Sequence, residues 1–271
     1  MDTKYGTEKK ETENKLLNQE ITLKNVESSR QQIAIISIGI ILVIVACMVF
    51  ILNKQNRTKQ RINKQLAEKN HIIEEQHKDI TDSIQYSKRI QDAIMPSQHV
   101  CEEILPDSFV LYKPKDVLSG DFYWLEKTKD TIYFAACDCT GHGVPGAMVS
   151  VICSTALNRS VKEFGIKNTG EILDKVRELV LETFEKSESG VQDGMDISVC
   201  ALNTKTRELL WSGANNPLWY FQNNEAKEVT ANKQPIVKHD NPKPFTSHSI
   251  IYQPNTTFYL FTDGYADQFG G

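Results

Sequence analysis

Hydrophobic and polar residues divide the chain into stretches of different character. Residues 1–32 are mostly polar, which predicts a helical N-terminal stub too charged to bury a core. Residues 33–52 then carry no Asp, Glu, Lys or Arg. A helix of about 20 apolar residues spans a hydrocarbon core of roughly 30 Å, whereas a signal peptide has a shorter apolar core nearer the N-terminus. We therefore predict a transmembrane helix over residues 33–52.

Residues 53–95 favour one long helix, because the segment contains neither Gly nor Pro and Pro96 follows it. Apolar residues recur in this segment at heptad positions a and d: Ile62, Leu66, Ile73, Ile80 and Ile90. Polar residues at other d positions weaken the seam, although such residues also fix register. The pattern predicts a coiled coil that forms a homodimer through this linker helix. The alternative is a solvated single helix.

Residues 96–271 show a different pattern, with short runs rich in β-branched and aromatic residues. We predict strands over 109–112, 122–126, 131–138, 197–202, 208–212, 218–221, 249–252 and 257–262. Two helical stretches lie between them, over 145–164 and 169–187. Several antiparallel strands with helices grouped between them indicate an α+β fold, an antiparallel β-sandwich flanked by helices.

Flanking cations orient the apolar segment. Three Lys or Arg residues precede it within about 20 residues and six follow it within the same distance. The excess of Lys and Arg after the apolar segment predicts a single-pass protein of the inner (cytoplasmic) membrane whose C-terminal side is in the cytoplasm.

Composition excludes some classes of function. A net charge of −4 gives no case for nucleic acid as the main partner. The six cysteines show no regular framework. Cys137 and Cys139 are two apart on a predicted strand and therefore share a face, but no second Cys/His pair completes a zinc site. We expect reduced thiols that pack as small apolar residues.

Three aspartates at predicted strand ends are candidates for chemistry. Asp121, Asp138 and Asp263 each have a Gly close by in the sequence. A carboxylate that ends a buried strand is unfavourable unless it is paired or binds a cation. Hard oxygen ligands suit Mg²⁺ or Mn²⁺, and two such ions can activate a water for phosphoryl transfer. Each Asp alone would also fit a turn or a cap.

Four short motifs occur in order along the second half of the chain: GDFYW at 120–124, DCTGHGVPGA at 138–147, SGANNP at 212–217 and TDG at 262–264. In this order they resemble the motifs of SpoIIE-type phosphatases, the bacterial branch of the metal-dependent PPM serine/threonine protein phosphatases. The resemblance covers about residues 85–271 and includes the end of the linker helix.

The resemblance implies roles by position. Asp121 and Asp138 would hold two Mn²⁺ or Mg²⁺ ions, Cys139 would offer its backbone carbonyl, and Asp263 would be a third metal-binding Asp. A metal-activated hydroxide would then attack phosphoserine or phosphothreonine without a covalent enzyme intermediate.

His142 is a catalytic candidate with an open alternative. Eukaryotic PPM enzymes carry a catalytic His two residues after the metal Asp, whereas His142 lies four after Asp138. It acts either in catalysis or only in shaping the turn into the helix near Pro145, which resembles the family's switch element. Asp196 lies either near the metals or in a turn that enters a strand.

The resemblance implies a membrane-tethered signalling phosphatase that acts on a phosphorylated protein, such as an anti-sigma-factor antagonist. Its domains would be the stub 1–32, the span 33–52, the linker 53–95 and a phosphatase domain 96–271. Domains of this family continue past TDG with a helix and a last strand bearing an Asp-Asp pair. We therefore expect the 271-residue chain to be weakly active or inactive and prone to aggregate. The alternative function is a catalytically impaired, phosphatase-like binding module.

Overall fold

The computed structural model describes residues 2–185, 193–239 and 241–265. It divides into two compact units, Met1–His77 and Lys78–Gly271. Helix α1 (Asp2–Ile94) runs without interruption through the predicted stub, span and linker. It is long and apolar enough to cross a membrane, and the residues of the span are all exposed. The heptad residues Leu66 and Ile73 are also exposed.

The second unit is built around a five-stranded antiparallel sheet in the order β1-β2-β3-β4-β7. Its strands are β1 (Phe122–Lys127), β2 (Thr131–Cys139), β3 (Met195–Asn203), β4 (Glu208–Ala214) and β7 (His248–Ile251). A three-stranded antiparallel sheet has the order β6-β5-β8. Its strands are β5 (Leu218–Gln222), β6 (Glu225–Val229) and β8 (Thr257–Tyr259).

Helices complete the second unit. They are α2 (Gln98–Ile104), α3 (Gly143–Asn158) and α4 (Thr169–Glu185), and a π-helical turn (Arg159–Glu163) extends α3. The N-terminus of α4 is capped by Asn168, whose side-chain oxygen accepts from the backbone N–H groups of Gly170 and Glu171. A 3₁₀ turn (Asp263–Tyr265) follows β8.

Successive side chains of β3 point to opposite faces of the five-stranded sheet, and this explains what packs on each face. Residues Met195, Ile197 and Val199 pack in the larger apolar cluster together with α3 and α4. Cys200 and Leu202 lie on the opposite face, in a second cluster to which strands of both sheets contribute. The five-stranded sheet is therefore covered by helices on one face and by the smaller sheet on the other, which confirms the predicted α+β sandwich.

Some elements differ from those predicted. Residues 109–112 form no strand: within the described residues they have no hydrogen-bonded strand neighbour, and Phe109 is 81% exposed. An apolar run fits a strand only when another edge pairs with it, so this prediction was wrong. The short helix α2 and the polar edge strand β6 were missed. Cys137 and Cys139 share a buried face as expected, and all six cysteines are free.

Candidate active site

The three predicted aspartates come together at one end of the sandwich. Phe122 pairs with Cys137, so the antiparallel register brings Asp121, just before β1, beside Asp138 near the end of β2. Asp263 begins the 3₁₀ turn after β8. Asp138 is in hydrogen-bonding contact with both Asp121 and Asp263. Because Cys137 and Cys139 point to the helices, Asp138 lies on the face toward the smaller sheet.

This crowding changes the ionisation of the central carboxyl. Burial, and then the nearby Asp121 and Asp263 carboxylates, raise the pKa of Asp138 to about 8. The charged form is disfavoured because it loses water and meets like charges. A divalent cation among these oxygens would remove both penalties.

Hydrogen bonds hold the Asp121 loop from three directions. Thr262 Oγ1 donates to Asp121 Oδ2 at 2.7 Å, across 141 positions of sequence. Asp121 N donates to Ser119 Oγ at 3.0 Å, and the Tyr112 hydroxyl donates to the Asp121 carbonyl at 3.2 Å. Both the side chain and the backbone of Asp121 are therefore fixed by other segments of the domain.

Close backbone packing joins the Asp121 loop to the loop after β2. A Cβ added at Gly120 would lie 2.5 Å from the Gly141 carbonyl oxygen and 2.8 Å from the Cys139 carbonyl oxygen. Only glycine permits this approach. The Cys139 carbonyl, a predicted metal ligand, is thus directed toward the residue that precedes Asp121.

These residues fit a hard divalent cation by chemistry. Carboxylate and carbonyl oxygens are the donors that Mg²⁺ and Mn²⁺ prefer. The pKa of Asp138 is raised first by burial and then by the carboxylates of Asp121 and Asp263. The carboxyl contacts form two pairs, Asp138 with Asp121 and Asp138 with Asp263. Among the residues that the structure describes, no group of three or more His, Cys, Asp or Glu side chains is already arranged to hold a metal ion.

His142 is the N-cap residue of α3 and lies beside this site, because the carbonyl of the preceding Gly141 packs against Gly120, directly before Asp121. Its Nδ1 lies 3.2 Å from Asp116 Oδ2, and its side chain is 84% exposed. Asp116 was not recognised from the sequence, because it lies 26 residues away from His142 in an irregular loop.

Asp196 is closer to the aspartates than a strand-entry turn would place it. It lies within β3 as the direct cross-strand partner of Asp138. Asn215 Nδ2 donates to Asp196 Oδ1 at 2.8 Å. Burial, only partly offset by this hydrogen bond, raises the pKa of Asp196, and the Asp263 charge adds to the increase. Strand pairing, rather than any local motif, would have identified this residue.

Gln91 connects the end of α1 to the site and was also missed. Its side chain is 1% exposed. Gln91 Nε2 donates to the Ser119 carbonyl at 2.6 Å and to Ser150 Oγ of α3 at 3.1 Å, while Ser119 N donates to Gln91 Oε1 at 3.2 Å. One side chain therefore holds both the Asp121 loop and the helix that follows the Asp138 loop.

Comparisons with known proteins agree on one family. The family model described as stage II sporulation protein E (SpoIIE) matches residues 128–270. The SiaA-PP2C domain of Pseudomonas aeruginosa is 29% identical with a TM-score of 0.64, over 72% of this chain and 76% of that chain. No curated protein matches the chain significantly.

Two further solved structures are more distant. The RsbU and RsbW domains of a Mycobacterium tuberculosis protein are 22% identical with a TM-score of 0.47, over 56% of this chain and 41% of that chain. The PP2C phosphatase domain of SpoIIE from Bacillus subtilis, with a fragment of its regulatory domain, is 17% identical with a TM-score of 0.44, over 54% and 41% of the two chains.

Proposed function

The chain belongs to the SpoIIE family of PPM (PP2C-type) serine/threonine phosphatases, and from this we propose that it is a membrane-tethered, metal-dependent protein phosphatase that signals by hydrolysing phosphoserine or phosphothreonine. The observation that carries the proposal is the contact of Asp138 with both Asp121 and Asp263 at the end of the sandwich. Burial and these two neighbouring carboxylates make the charged form of Asp138 unfavourable there, which a bound cation would offset.

In this proposal Asp121, Asp138, Asp263 and the Cys139 carbonyl hold Mn²⁺ or Mg²⁺. Two such ions, when bound, supply a water of lowered pKa as the nucleophile. Thr262 keeps the Asp121 carboxylate in one orientation through its 2.7 Å hydrogen bond. The close approach of Gly120 to the Cys139 carbonyl keeps the loop of Asp121 against the end of β2, which carries Asp138 and Cys139.

We assign to His142 the protonation of the leaving serine or threonine oxygen. A general acid of this kind commonly contributes about 10²–10⁴-fold to the rate. His142 suits the role because its side chain is exposed at the rim, where a phosphoprotein would arrive.

The proposed location of the protein is the inner membrane. The apolar part of α1 suits a single transmembrane helix. The excess of downstream cations, six against three upstream, favours a phosphatase domain on the cytoplasmic side of the inner membrane. The domains are then the stub 1–32, the span 33–52, the linker 53–95 and the phosphatase domain 96–271. The exposed heptad residues support pairing of two linker helices as a coiled coil.

The substrate in this proposal is a phosphorylated protein. An anti-sigma-factor antagonist is the class that the family resemblance implies. A cytoplasmic domain on a membrane anchor would act on such a diffusible protein in response to a signal transmitted along α1.

Phosphate release tests the function. The full chain in detergent or nanodiscs is incubated with a phosphoserine peptide and Mn²⁺, alongside Asp121→Ala and the control Asp107→Ala, which removes an exposed acid. Turnover that needs Mn²⁺, is lost in Asp121→Ala and survives in Asp107→Ala supports the proposal. Turnover that survives in Asp121→Ala contradicts it.

A second candidate is a phosphatase-like module that binds a phosphoprotein without hydrolysing it. Phosphopeptide binding in fluorescence polarisation, without phosphate release at saturating Mn²⁺, would support this candidate over the enzyme.

A further inference from the structure

An imidazole–carboxylate pair lies at the rim of the candidate active site. His142 Nδ1 lies 3.2 Å from Asp116 Oδ2. A carboxylate only accepts hydrogen bonds, so Nδ1 is the donor and Nε2 is left for another partner. The two side chains are 84% and 45% exposed. An ion pair so exposed contributes little to folding, so its geometry calls for another explanation.

The backbone at the start of α3 directs His142 outward. His142 has an extended backbone, and its side chain makes no capping hydrogen bond. The glycines on either side, Gly141 and Gly143, have φ angles of +86° and +62°. This left-handed region favours glycine. The imidazole is therefore not used to cap the helix and instead contacts the loop that carries Asp116.

Each partner of the pair belongs to a loop next to a proposed metal ligand: Asp116 lies in the loop before β1 and His142 in the loop after β2. Asp116 precedes Asp121 by five residues, and His142 follows Asp138 by four. The Gly141 carbonyl packs against Gly120, directly before Asp121. The contact of Asp116 with His142 thus joins the same two loops that the glycine packing joins.

We propose that Asp116 is a positioning residue that holds the His142 imidazole with Nε2 toward the leaving oxygen of the phosphoester. The inference rests on the phosphatase function proposed above. Hydroxide attacks phosphorus while the bond from phosphorus to the serine oxygen breaks. The serine oxygen leaves with the electron pair and takes the proton from Nε2 of the imidazolium. Asp116 keeps its own charge and accepts from Nδ1 throughout, and solvent water returns a proton to Nε2 in the next cycle.

Leaving-group chemistry separates this role from a purely structural one. Serine alkoxide needs a proton on departure, whereas p-nitrophenolate leaves readily without one. With the full chain and Mn²⁺, Asp116→Ala should lower kcat for a phosphoserine peptide about tenfold, a part of the rate that a general acid supplies. The loss with p-nitrophenyl phosphate should be clearly smaller, and KM for the peptide should change little.

Two further variants make the kinetic result specific. Asp116→Glu keeps the carboxylate and should recover part of the lost kcat. Asp130→Ala removes another half-exposed acid, whose carboxylate pairs with Lys205 at 2.6 Å, and should behave as wild type. A melting temperature of Asp116→Ala close to that of wild type checks that the fold is kept.

Histidine tautomers give a readout that needs no turnover. The full chain, labelled with ¹⁵N-histidine in nanodiscs, is measured by NMR, with His142→Gln to assign the signal. Neutral His142 should carry its proton on Nδ1 in wild type and on Nε2 in Asp116→Ala.

The combined results decide the inference. It is overturned if Asp116→Ala leaves the tautomer unchanged or lowers turnover of both substrates equally. If the wild type releases no phosphate from either substrate, the proposed function fails and the tautomer alone decides. If neutral wild-type His142 then carried its proton on Nε2, Nδ1 could not donate to Asp116 and the inference would be overturned.

Discussion

Gln91 donates its side-chain amide to the backbone carbonyl of Ser119 at 2.6 Å, which fastens the end of α1 to the loop of Asp121. The same amide reaches Ser150 on α3 at 3.1 Å. A movement of this end of α1 would therefore act on the loop before β1, which carries Asp121, and on helix α3, which follows the loop after Asp138. The contact gives this end of α1 a physical connection to the candidate active site.

Removal of this amide should destabilise the domain. Gln91→Ala leaves the partly buried Ser119 backbone groups without their side-chain partner, which costs about 1–3 kcal/mol. We expect a lower free energy of unfolding in denaturant titrations and weaker Mn²⁺ binding. Gln98→Ala, which removes an exposed amide paired with Glu102, is the control and should change stability by less than about 0.5 kcal/mol. Equal stability of the two variants would contradict the role of Gln91.

Two glycines that flank proposed metal ligands, Gly120 before Asp121 and Gly264 after Asp263, should respond differently to the same change. Gly120→Ala forces a Cβ to within 2.5 Å of the Gly141 carbonyl oxygen. We expect a loss of about 1–3 kcal/mol, typical of overpacking, and weaker Mn²⁺ binding. Gly264→Ala meets its nearest atoms, Asp121 Oδ2 and Thr262 Oγ1, only at 3.6 Å and should be tolerated. Thermal unfolding of both variants checks the contrast, and equal melting temperatures would refute it.

Stability of the metal-free protein should fall as pH rises. Burial and the Asp121 and Asp263 carboxylates raise the pKa of Asp138 to about 8, against about 3.9 in an unfolded chain. Below about pH 4 the group is protonated in both states and its full contribution to stability is present. Between about pH 4 and 8 the folded state retains a proton that the unfolded state has released, so the contribution is progressively lost.

Asp138→Asn isolates this effect, because it removes the charge and keeps the shape. The variant should unfold at a higher temperature than wild type at pH 8 in EDTA, and the difference should shrink toward pH 5. Asp107→Asn is the control for removing an exposed acid. If the melting temperatures of wild type and Asp138→Asn changed in parallel with pH, the pKa of Asp138 would not be raised in the folded protein.

The apolar part of α1 should anchor the protein in a bilayer. Ile41→Arg together with Val45→Arg should cost about 5–7 kcal/mol of insertion energy, on a scale of about 2.5–3.5 kcal/mol per arginine at the helix centre. Carbonate extraction should then release the chain from membranes. Leu16→Arg with Leu23→Arg, outside the span, should leave it in the pellet. Release of both double variants alike would count against this span.

Local patterns were sufficient for part of the site. Asp121, Asp138 and Asp263 stand at predicted strand ends, so the sequence indicated that each carboxylate would be unfavourable there unless it was paired or bound a cation. The alternation in β2 likewise predicted that Cys137 and Cys139 share a face. Both inferences need only neighbouring residues.

Long-range geometry determined the rest. Gln91 meets Ser119 across 28 positions, and His142 meets Asp116 across 26. Asp196 lies beside Asp138 only because β2 and β3 pair in one register. No local pattern encodes these contacts. The wrongly predicted strand at residues 109–112 has the same cause, because an apolar run forms a strand only where another strand pairs with it.

Mn²⁺ binding to the full chain, followed by electron paramagnetic resonance at pH 7.5, tests the central claim most directly. The account predicts saturable binding in wild type that is strongly weakened in both Asp121→Asn and Asp138→Asn and kept in Asp107→Asn. Equal binding by wild type and the two site variants would contradict a metal centre at these carboxylates.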